Sequence, residues 1–123
     1  MRHRVALVIA VSLLLGALVA QPATSAVVIK AVRCSSCPVG YKWSPKITSI
    51  VHGTKVTWKA MTGTHTVTAV SKNWSKNVTL SAGDSTSFTF KSAGTYRFRC
   101  KFHSSYNATT KKCTGMCGKI LVS

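Results

Sequence analysis

Cys100-Lys101-Phe102-His103 sets a thiol and an imidazole three residues apart at the end of a predicted strand, where the chain leaves a sheet and can wrap an ion. A second imidazole, His65, opens a different predicted strand, and a thioether, Met116, stands shortly before the last one. From one end of a β-sandwich these side chains can converge as one thiolate, two imidazoles and a thioether, which is the donor set of a blue-copper centre. Soft sulfur holds Cu(I), imidazole holds either oxidation state, and a constrained trigonal arrangement changes little when an electron arrives. The chemistry implied is electron transfer and not catalysis, so the chain is not expected to be an enzyme.

Composition narrows the alternatives. The 123 residues contain seventeen Lys+Arg and a single acidic side chain, Asp84, with no Glu, for a formal net charge of +16. Chemistry that needs two carboxylates, as in glycosidases or aspartic proteases, is excluded. Calcium and magnesium sites, which want several carboxylate oxygens, are excluded with it. The length allows one domain. A multicopper enzyme would need a second copper site and further domains.

Those ligands need a scaffold, and the chain divides into two parts. Arg2, His3 and Arg4 precede an apolar run from Val5 to Ala20, and Thr24-Ser25-Ala26 supplies small residues suited to cleavage, so residues 1–26 read as a secretory signal peptide with the mature start near Val27. The run is shorter than the roughly 20 residues of a membrane span, and retention as an uncleaved anchor is the alternative. The product is expected outside the cytoplasm: extracellular, at the cell surface or periplasmic. Residues 27–123 keep fifteen of the Lys+Arg and the one Asp, a net charge of +14, and all five cysteines. Polar and apolar residues alternate over short runs, the period of a half-buried strand. Strands are predicted over Val27–Val32, Lys46–Val51, Lys55–Ala60, His65–Val70, Thr86–Lys91, Thr95–Lys101 and Lys119–Val122, with glycine-bearing turns between them. Seven to eight strands in under a hundred residues imply an all-β, antiparallel Greek-key sandwich.

Several segments together resemble the cupredoxins, the plastocyanin, amicyanin and pseudoazurin type of small exported copper protein. They are Tyr41-Lys42-Trp43-Ser44-Pro45-Lys46-Ile47 with Gly53-Thr54-Lys55-Val56-Thr57-Trp58, then Thr64-His65-Thr66-Val67, then Gly94-Thr95-Tyr96-Arg97-Phe98-Arg99-Cys100-Lys101-Phe102-His103, and Met116-Cys117-Gly118-Lys119-Ile120. The resemblance implies one type 1 copper held by His65, Cys100 and His103 with Met116 in the axial position, and an electron passing at the exposed edge of His103. It departs from the family in the ligand loop: twelve residues, Ser104 to Gly115, separate His103 from Met116, where the family usually has two to four.

With Cys100 kept as thiolate, Cys34, Cys37, Cys113 and Cys117 allow three pairings. In the resembled fold the loop after the first strand lies beside the ligand loop, so the expected pairing joins Cys34 and Cys37 to Cys113 and Cys117. Local pairing within each couple is the alternative and would leave the insertion loosely held. His52, without a partner motif, is expected to be solvated, and Trp43, Trp58, Trp74 and Tyr96 are expected to be packing or surface residues and not electron relays. The positive charge suits a redox partner with an acidic surface, or an anionic cell wall or membrane surface. A specific nucleic-acid role is not expected, and the domain is expected to be monomeric. The competing readings are copper delivery or sequestration outside the cell by a ligand loop that opens, and a cationic secreted binding domain that keeps the fold without copper.

Overall fold

Alternating burial along short runs organises the chain into two facing sheets. The computed structural model describes residues 16–19 and 26–123; the signal-peptide reading of residues 1–26 falls almost wholly outside them. Nine strands follow one another: β1 Val27–Arg33, β2 Tyr41–Ser44, β3 Ile47–Ile50, β4 Thr54–Ala60, β5 His65–Ala69, β6 Asn77–Leu80, β7 Ser85–Phe90, β8 Gly94–Asn107 and β9 Lys112–Val122. One sheet has the order β2-β1-β4-β7 and the other β3-β9-β8-β5-β6. The sandwich is the expected one, with two short strands added, β2 and β6. Pairing is antiparallel except for β1 with β4 and β3 with β9, which are parallel. Among the described residues no helix is long and apolar enough to cross a membrane.

The inward residues of the two sheets form one core. On β4, Val56, Trp58 and Ala60 are fully buried, alternating with exposed Lys55, half-buried Thr57 and exposed Lys59, and they share one core with Val67, Phe98 and Ile120 of the other sheet. The Trp58 and Phe98 rings meet edge to face at 5.4 Å, and Trp43 meets Phe98 at 5.5 Å, a geometry that aromatic quadrupoles favour. Trp43 and Trp58 are packing residues, as expected. All nine strands and the whole described core lie after residue 26.

Two expectations about the far end of the molecule are corrected. The disulfides are local, Cys34–Cys37 and Cys113–Cys117, and not cross-links between the two segments. Nor does local pairing leave residues 104–115 loose. They continue β8 and β9 as a hairpin, with Ser104, Ser105, Tyr106 and Asn107 opposite Gly115, Thr114, Cys113 and Lys112. The physical reason is that ladder hydrogen bonds, and not a clip to the first loop, hold the insertion. Cys34–Cys37 instead closes a turn after β1, in which Cys34 N–H donates to the Gly40 carbonyl at 2.8 Å.

Candidate metal centre

The β8–β9 ladder breaks once, and the break makes the site. Arg99 pairs with Cys117 and the next pair is Ser104 with Gly115, so four residues, Cys100 to His103, stand opposite the single residue Met116. A bulge of this kind re-aims side chains. Cys100 is fully buried, while His103 swings outward and is partly exposed. Fully buried His65 arrives from the start of β5. One ligating atom from each of His65, Cys100 and His103 lies within 4.8 Å of the others. Cys100 Sγ stands 3.8 Å from His65 Nδ1 and 3.3 Å from His103 Nδ1. Three donors each about 2.0–2.3 Å from one ion in a trigonal plane would be about 3.5–3.8 Å apart, so the two sulfur–nitrogen distances suit a metal and the group, which spans up to 4.8 Å, would draw in by about 1 Å to hold one.

Neighbours fix the orientation of each donor. His65 Nε2 lies 2.7 Å from the Thr62 carbonyl, which can only accept, so Nε2 carries the proton and the Nδ1 lone pair faces the thiol. Thr66 N–H donates to Cys100 Sγ at 3.3 Å, a contact that fixes where the sulfur stands. The Thr66 hydroxyl accepts from Lys101 N–H at 2.8 Å and so fastens the residue after Cys100 to β5. Ser104 Oγ–H donates to the Cys100 carbonyl at 2.6 Å, closing the bulge. Tyr41 packs against both imidazoles, at 4.8 Å from His65 and 4.6 Å from His103.

Met116 is 1 % exposed and belongs to the same buried cluster as Cys100. Trp43 Nε1–H donates to its carbonyl at 3.2 Å. The five-residue loop from Cys113 to Cys117 holds the segment: these Cα atoms are 6.2 Å apart, where four extended residue steps would span about 13 Å. None of the partners Thr62, Thr66, Tyr41, Trp43 and Ser104 is singled out by the sequence as a support of the site; Trp43 is expected only to pack. Thr66 and Tyr41 stand inside the resembling segments, but the Thr62 contact is made by backbone and leaves no side-chain signal. His52 lies apart from the site, exposed, with Nδ1 3.0 Å from the Ser123 carbonyl.

Burial pushes the pKa of His65 below its ordinary 6.5, partly opposed by the hydrogen bond to the Thr62 carbonyl. Burial also lowers that of His103, and the neighbouring His65 lowers it further. Both rings are therefore neutral, as ligands must be, at neutral pH. Below about 6.5 the unfolded chain takes up protons that the folded one refuses, so stability falls as the pH drops through that window and is level above it. We expect the Tm of the copper-free domain to decline between pH 7 and 5, and His65→Gln to flatten the decline. An unchanged slope in that variant would contradict the assignment.

A two-sheet sandwich of this strand order is the cupredoxin fold, and the similar solved structures include a cupredoxin. A purple cupredoxin from Nitrosopumilus maritimus is 23% identical with a TM-score of 0.58, over 79% of this chain and 99% of that one. A reduced amicyanin variant is 24% identical with a TM-score of 0.60, over 80% of this chain and 82% of that one. A copper-containing nitrite reductase from Thermus scotoductus is 20% identical with a TM-score of 0.58, and this chain spans only 22% of its length. No protein-family model matches the sequence, and no curated protein matches it. At these identities the likeness establishes the fold, and any function has to be argued from the site.

Proposed function

We propose that the protein is an exported one-electron carrier that binds a single type 1 copper through His65, Cys100 and His103, with Met116 as the weak axial donor. The observation that carries this reading is the convergence of one buried thiol and two imidazole Nδ1 atoms on one point, each already oriented by a neighbour. Copper would supply the one-electron couple. The residues supply rigidity: Thr62 and Tyr41 hold His65, Thr66 and Ser104 hold the Cys100 segment, and Trp43 holds Met116. A preset donor geometry keeps the rearrangement on electron transfer small.

Access to the centre is one-sided. Cys100 and His65 are fully buried, whereas His103 borders an open groove of about 730 Å³ together with Pro38, Val39 and the exposed Phe102. A partner would meet the centre there. The net charge of +14 after residue 26 complements an acidic partner surface and would steer the encounter. Two disulfides suit an oxidising compartment outside the cytoplasm. The hairpin pairing of residues 104–107 with 112–115 favours retained copper over a loop that opens to deliver it.

The test is a visible spectrum of the domain from Val27 to Ser123 titrated with Cu(II) under non-reducing conditions. We expect an intense blue band that saturates at one equivalent, bleaches with a mild reductant and returns on reoxidation. A colourless protein would end the electron-carrier reading.

A further inference from the structure

We propose that a second cavity, beneath the β8–β9 hairpin, binds a small amphipathic anion, of which an aromatic carboxylate is the simplest kind. Beyond the ladder break the hairpin leans over the outer face of the five-stranded sheet. Tyr106 O–H donates to the Val70 carbonyl at 3.4 Å, and its ring lies 5.7 Å from the Arg99 guanidinium carbon. Under this strap is a cavity of about 260 Å³. Its base is a row across the sheet, in which Lys119 of β9 pairs with both Ile47 and Arg97 and Val70 N–H donates to the Arg97 carbonyl. The Cys113–Cys117 disulfide and Tyr106 border it from the hairpin.

Four cations from four separate segments line this space: Lys46 before β3, Arg97 on β8, Lys111 in the hairpin turn and Lys119 on β9. No carboxylate answers them. The only acidic side chain in the sequence, Asp84, sits in the β6–β7 turn, where it accepts from Ser81 N–H at 3.0 Å. Lys46, Arg97 and Lys111 are exposed and Lys119 is half-buried, so an anion seated in the recess would meet cationic side chains from several sides. Lys111 is placed at the recess by the hairpin turn: its φ of 59° makes it the one non-glycine residue with positive φ among those described, the left-handed conformation with which short hairpin loops commonly close.

The chemistry of the lining sets the ligand class. Ile47, 51 % exposed on the protein surface, and Val70 and the disulfide ask for an apolar body. The cations ask for a negative head. The volume is just under the range of about 300–1,000 Å³ usual for larger ligands, so a single ring is the right scale. The cavity shares no residue with the His65, Cys100 and His103 group, and the proposal does not depend on copper.

Amide NMR spectra of the copper-free domain from Val27 to Ser123 would be recorded during titration with sodium benzoate, benzyl alcohol or sodium acetate at constant ionic strength. We expect saturable shifts with benzoate alone, confined to amides around Ile47, Val70, Arg97, Tyr106 and Lys119. Lys111→Asn keeps the left-handed turn and Arg97→Gln keeps the strand, and each should weaken benzoate by about two- to fivefold, the scale of one exposed ion pair. Equal shifts with acetate, or shifts spread over every surface lysine, would mean charge screening and overturn the proposal. So would equal binding of benzyl alcohol, no response to benzoate, or unchanged affinity in both variants.

Discussion

Replacing Cys100 with Ser is expected to leave a folded domain with no blue band and no reversible bleaching. Serine is nearly isosteric with cysteine, and a hydroxyl at this fully buried position can still accept from Thr66 N–H. The fold cost should therefore be small, about 1 kcal/mol. The function cost should be complete, because a hydroxyl remains protonated where a thiol gives a soft thiolate, and only thiolate copper has the colour and the couple proposed here. Two imidazoles remain, so Cu(II) can still bind. We expect its affinity to fall by more than about 100-fold, beyond the 10- to 100-fold typical of losing a group that merely orients a ligand. Parallel thermal unfolding and copper titration separate the two costs. A Cys100→Ser protein that kept the band, or bound copper as tightly as the parent, would remove the thiolate from the centre.

The parts of this structure that the sequence foretells are those where a side chain's type carries the signal. The alternation of Val56 and Trp58 with Lys55, Thr57 and Lys59 gives β4 its buried face directly. Cys100 and His103 three residues apart are likewise legible as a pair, but they stand at a bulge inside β8, which runs on to Asn107, and not at the strand end the sequence suggests. The short strands are harder. Tyr41–Ser44 is four residues long beside a turn containing Pro38 and Gly40, and Asn77–Leu80 shows a single apolar pair. Two residues of alternation cannot be told from a loop. The first half of β9 looks like a loop as well, since Gly115 is a poor strand former and Lys112 to Cys117 shows no apolar alternation. What makes it a strand is its partner β8, and no local pattern records that partnership. The same holds for the parallel pairings, because side-chain period does not encode strand direction. The expected disulfide cross-links fail for a related reason. They assume an insertion with nothing else to hold it, whereas its backbone is satisfied within its own hairpin.

Gly115 should prove the most sensitive glycine near the site. Its φ is +90°, which other L-residues rarely adopt, and a Cβ there would lie 2.5 Å from the His103 carbonyl oxygen and 3.1 Å from Ser104 Cα. Both are backbone atoms and neither can step aside cheaply. Gly115→Ala would therefore incur a left-handed backbone cost of about 1–2 kcal/mol and an overpacking cost of about 1–3 kcal/mol. For a domain of this size that sum lowers the Tm by at least about 8 °C. Gly83→Ala supplies the control. Gly83 has nearly the same φ, +94°, but nothing within 4 Å of the added atom, so it should show the backbone cost alone and leave the copper spectrum untouched. The difference between the two variants isolates the collision with His103. Because His103 stands on one side of the contact and Met116 follows on the other, relief of the clash must move one of them. In Gly115→Ala the copper band should shift or weaken along with the loss of stability. Equal Tm changes in the two variants, with unaltered spectra in both, would show that the Met116 segment and His103 are not coupled through Gly115 and would remove the bulge from the account of how this centre is held.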